Sequence, residues 1–103
     1  MTVSIRHCEM ANREHRRSKR QYAHVFHYPG NVICVARAFD DLPIKIRQGL
    51  IAHEIGHLLL KTDQAHTESD ANKAVARQFG LEVGYRNSPY GERLEYLKAG
   101  EFL

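Results

Sequence analysis

The chain has 103 residues, 43% of them hydrophobic, which supports one modest core and a single domain. Its formal net charge of +3 is a mild basic excess. No apolar run reaches the roughly 18 residues of a transmembrane helix, and the first eight residues lack the apolar stretch of a secretory signal.

Residues 3–8 alternate well enough to predict a strand, the first part of an N-terminal segment covering 1–22. Cys8 and Cys34 are too few for a disulfide framework, so the simpler expectation is a reduced, cytoplasmic chain; a bridge or a distant zinc pair is the alternative. Residues 10–20 are polar and compatible with a helix or a loop, since they show no apolar stripe. Arg13, Arg16, Arg17, Lys19 and Arg20 crowd this stretch. Such a run is commonly a solvated face and less often a nucleic-acid contact. Residues 23–39 read as a β-hairpin: two stretches rich in β-branched and aromatic side chains flank the turn-forming Pro29, Gly30 and Asn31.

A helix is predicted over 42–60, regular from Ile44, with Pro43 near its start and Asp41 as the cap. Leu50, Ile51, Ile55, Leu58 and Leu59 give it helical periodicity. Within it lies His53-Glu54-Ile55-Gly56-His57, the pattern H-E-x-x-H. Residues at i and i+4 share a helix face, so His53 and His57 can offer two imidazoles to one metal ion. Glu54 stands about a third of a turn round, placed to act as a general base on a metal-activated water.

A six-residue connection, 61–66, then leads to a second helix over 67–80. Thr67 and Asp70 are spaced for a capping box, and Gly80 is placed to end the helix. Ala71, Ala74, Val75, Gln78 and Phe79 form its expected packing face, small enough for close approach to the first helix. A hydrolytic zinc usually takes three protein ligands. Asp63 stands where a third histidine would follow in a metzincin, but Leu60 replaces the glycine turn that arrangement needs. Glu68, in the first turn of the second helix, is the better third ligand, with His66 its main rival. Asn72, one turn beyond Glu68 on the same face, can hydrogen-bond a ligand histidine or the Glu68 carboxylate. Tyr85, Tyr90 and His66 are available as oxyanion donors, and nothing in the sequence chooses among them. Ser88 and Pro89 open a predicted C-terminal helix over 88–100, through Leu94 and Leu97 to Gly100.

The pair of motifs, H-E-x-x-H followed by Glu68-Ser69-Asp70-Ala71-Asn72 as E-x-x-A-N, resembles the gluzincin metallopeptidases, in particular the ImmA/IrrE-type family and the single-domain minigluzincins. The resemblance spans roughly residues 23–79. It implies one zinc ion on His53, His57 and Glu68, with Glu54 as base and Asn72 behind a ligand histidine. It further implies an α+β, zincin-like core, a small antiparallel sheet packed on the H-E-x-x-H helix and the glutamate helix. The span from His57 to Glu68 is shorter than is usual there, and the expectation is a catalytic core without an appended DNA-binding or sensor domain. The expected activity is peptide-bond hydrolysis on a protein or peptide substrate, with no membrane partner. The alternatives are a silent or latent zinc-binding regulatory domain and, further off, a nucleic-acid-binding module using Arg13 to Arg20.

Overall fold

The computed structural model describes residues 3–19, 21–26, 30–60, 67–79, 83–87 and 93–97. Strand β1 (Val3–His7) leads into helix α1 (Glu9–Arg17), then strands β2 (Ala23–Phe26) and β3 (Asn31–Val35). A 3₁₀ turn over Arg37–Asp41 precedes helices α2 (Ile44–Leu59) and α3 (Glu68–Phe79), and strands β4 (Val83–Asn87) and β5 (Arg93–Leu97) close the order. The fold is α+β: a three-stranded mixed sheet, three helices and a separate two-stranded hairpin. No helix among the described residues is long and apolar enough to cross a membrane.

The expected hairpin forms, with β2 antiparallel to β3 from Ala23 opposite Val35 to Phe26 opposite Val32. Residues 27–29 of its turn lie outside the described residues. β1 joins β3 in parallel on the other side, from Val3 opposite Asn31 to His7 opposite Val35. β3 is therefore central and buried on both faces. Ile33 and Val35 enter a core with Tyr22, Phe39, Leu50, Ala52 and Val75, while Cys34 faces away with Ala36 against Ala11 of α1. The predicted strand through Phe39 stops at Val35, because the chain turns at once into the 3₁₀ segment.

Helix α1 resolves the open choice over residues 10–20. Its one buried side chain is Ala11, so packing alone does not explain its position. Specific ties hold it: the Asn12 side-chain oxygen accepts the Arg37 backbone N–H at 2.8 Å, and His15 Nδ1 lies 2.9 Å from the Gln21 carbonyl. Its solvent side carries Arg13, Arg16 and Arg17, all exposed. Arg16 pairs with Glu9 at 3.0 Å, and this contact, helped by Asn12, holds the Glu9 carboxyl below its usual range.

The structure corrects the reading of the cysteines: Cys8 and Cys34 are joined in a disulfide. Parallel pairing sets His7 opposite Val35, so the next residue, Cys8, arrives beside β3 with its Cα 5.4 Å from that of Cys34. The premise of a reduced chain, on which the cytoplasmic expectation partly rested, does not hold. Two residues 26 apart in sequence, once joined, remove loop entropy from the unfolded chain worth about 3 kcal/mol. The Cys8→Ala/Cys34→Ala double variant should therefore melt more than about 10 °C below the oxidised chain. Equal melting temperatures, with and without reductant, would show that the bridge carries no stability.

Helix α2 starts as predicted, but its N-cap is Pro43 with no side-chain cap, and Asp41 belongs to the 3₁₀ turn. Leu42 is extended, as the residue before a proline prefers, which separates Asp41 from the helix start. Burial runs nearly all round α2: Gly49, Leu50, Ala52, His53, Ile55, Gly56 and Leu58 are all covered. The sheet, α3 and β5 all pack against it, and it is less one-faced than its sequence suggests. In α3 the capping box forms, with the Thr67 N–H donating to Asp70 at 2.9 Å and the Asp70 N–H to Thr67 Oγ1 at 3.1 Å. Ala71, Ala74 and Val75 are buried as expected, whereas Gln78 is exposed. Gly80 lies outside the described residues.

The predicted C-terminal helix is replaced by the β4–β5 hairpin, running from Val83 opposite Leu97 to Asn87 opposite Arg93. Ser88, Pro89 and Gly91 stand between two strands, where turn formers serve a hairpin as readily as the opening of a helix. Residues 88–92 and 98–103 lie outside the described residues.

Candidate metal centre

Helix α2 carries His53 and His57 one turn apart, and their rings meet edge to face with centroids 4.6 Å apart. The two Nε2 atoms converge to 3.0 Å. His53 is 2% exposed, a buried polar side chain, while Glu54 and His57 are half-buried. A buried imidazole needs hydrogen-bond partners. Asn72, on α3, provides one, with Oδ1 at 2.7 Å from His53 Nδ1.

With Oδ1 of Asn72 facing the ring, the contact assigns a tautomer. A carboxamide oxygen only accepts, so His53 Nδ1 carries the proton and its Nε2 presents a lone pair. The lone pair points toward His57 Nε2, and two nitrogens this close require a proton or a cation between them. Two nitrogen ligands at about 2.0–2.1 Å on a tetrahedral zinc stand about 3.3 Å apart, close to the observed spacing. The spacing suits two nitrogen ligands of one ion, and equally an N–H···N hydrogen bond between the rings; two of the three ligands that a hydrolytic zinc takes are thus placed together.

Asn72 reaches His53 because α2 and α3 touch at Gly56. A Cβ built on Gly56 would overlap the Ala71 carbonyl, with its carbon at 2.6 Å, and would stand 3.0 Å from Val75 Cγ2. In the sequence Gly56 is simply a variable position of H-E-x-x-H; the small residues Ala71 and Ala74 were the only sign that this approach would be so close. Glu68 opens α3 one turn before Asn72, so both belong to one stripe of the helix. Its side chain lies outside what is described. Among the described residues no group of three or more His, Cys, Asp or Glu side chains gathers around a common point. Asp63, His66 and Tyr90 lie outside the described residues, and Tyr85 is placed only as the backbone partner of Glu95. The structure thus brings together His53, His57 and Asn72 of the expected site. No protein-family model, curated protein or solved structure matches this chain.

Proposed function

We propose that this chain is a zinc-dependent peptidase with a zincin-like core of the gluzincin kind. The observation that carries the reading is the convergence of His53 Nε2 and His57 Nε2 to 3.0 Å, with Asn72 holding the outer nitrogen of His53. His53 and His57 would hold the ion, with Glu68 as the third ligand. Zinc bound there would supply a Lewis acid and a water of lowered pKa. Glu54, next along the helix and half-buried, takes the proton of the attacking water and returns it to the departing amine. β2 lies at an edge of the sheet, and its open side can align an extended peptide by strand addition. A latent form of the same site is the second reading, favoured by the near-complete burial of His53 and by β5 running alongside α2.

Elemental analysis of the purified chain tests the metal before any substrate is known. We expect about one zinc per chain, lost or greatly weakened in Glu68→Ala, and a roughly 10–100-fold lower affinity in Asn72→Ala. A chain that takes up no zinc when supplied with it would end this reading. An unchanged affinity in Glu68→Ala would move the third ligand elsewhere, His66 first.

A further inference from the structure

A pocket of about 340 Å³ opens between β1 and α2, walled by Val3, Ile5, Phe39, Ile51 and Ile55. It lies on the far side of α2 from the histidines. Ile44, Gln48, Ile51 and Ile55 follow one helical stripe, and His53 is about 200° round from Ile51. The volume is at the lower end of what small-molecule sites enclose, so it suits one compact ligand. Ile5 at 54% and Ile44 at 57%, large hydrophobic side chains left exposed, stand at this pocket. Apolar surface left open there gains from being covered.

The polar lining consists of Arg47 and Gln48. Arg47 donates from Nε to the Leu42 carbonyl at 3.0 Å, which ties the guanidinium to the pocket. Its terminal nitrogens meet no carboxylate among the described residues, and the first turn of α2 carries no acid. A held guanidinium that no carboxylate of the described residues neutralises, beside an apolar wall, selects a ligand with an apolar chain and one anionic head, and its forked donors match a carboxylate. We propose that this pocket binds an aliphatic carboxylate, with the chain against Ile5, Ile51 and Ile55 and the carboxylate on Arg47.

Dodecanoate, below its micellar concentration, is the probe, followed through isoleucine δ1-methyl resonances. We expect saturable shifts at Ile5, Ile44, Ile51 and Ile55 and none at Ile33, which is fully buried in the core. Dodecyltrimethylammonium, with the same chain and the opposite charge, should bind wild type about ten-fold or more weakly. Arg47→Met should erase that preference while keeping the apolar contact. Non-saturating shifts, shifts spread over all isoleucines, or equal binding of the two head groups to wild type would overturn the proposal. The comparison of probes on the wild-type chain stands even where the Arg47 variant folds poorly.

Discussion

Glu54→Gln is expected to keep about one zinc per chain and to lose peptide hydrolysis by about 10²–10⁴-fold, the usual contribution of a positioned general base. The substitution is nearly isosteric, and it removes the one property the proposed role needs, a carboxylate able to take a proton. Glu54 is half-buried on α2, between two histidines whose nitrogens already converge. Three readings separate the outcomes: zinc content, melting temperature and the rate on a peptide library. Zinc and melting temperature unchanged with turnover lost supports the assignment. Turnover undiminished at full zinc content sinks the general-base role of Glu54. A wild-type chain that binds zinc and cleaves nothing supports the latent or silent reading instead.

The sequence was most legible where chemistry imposes a fixed spacing. His53 and His57 sit four apart because one helix turn separates them, and that periodicity holds in any amphipathic or buried helix. The Thr67/Asp70 cap was equally legible, since its two hydrogen bonds are local. A contact of Asn72 with a histidine of α2 was one of the two partners its place one turn beyond Glu68 suggested, and it forms with His53. What escaped depends on contacts distant in sequence. Parallel pairing of β1 with β3 leaves no local mark, and without it nothing sets Cys8 beside Cys34. Helix α1 shows no apolar stripe, and the side-chain ties to Arg37 and Gln21 that hold it have partners six or more residues away. The C-terminal hairpin was misread as a helix for another reason. Pro89 serves either element, while Leu94 and Leu97, three apart, match the helical period and not the alternation of a strand; only pairing between Val83–Asn87 and Arg93–Leu97 decides.

Gly56→Ala is expected to lower stability by about 3 kcal/mol and the melting temperature by about 10 °C or more. Two effects oppose each other. Alanine is the better helix former by about 1 kcal/mol, which favours the variant in an isolated α2. Against it, the new methyl group meets the Ala71 backbone carbon at 2.6 Å and Val75 at 3.0 Å. Val75 is a fully buried side chain with no room to rotate away, and a carbonyl in α3 cannot move without its helix. The steric term therefore dominates, and α2 and α3 must separate. That separation draws Asn72 away from His53, where the contact is 2.7 Å, so zinc affinity falls along with stability. Gly30→Ala is the matched control, because a Cβ at Gly30 has nothing within 4 Å. It should melt close to wild type and bind zinc equally well. A Gly56→Ala chain that melts within about 1 °C of wild type would show that the two helices are not in contact at this point. Normal stability with weakened zinc binding would instead place the whole effect on the orientation of His53 by Asn72.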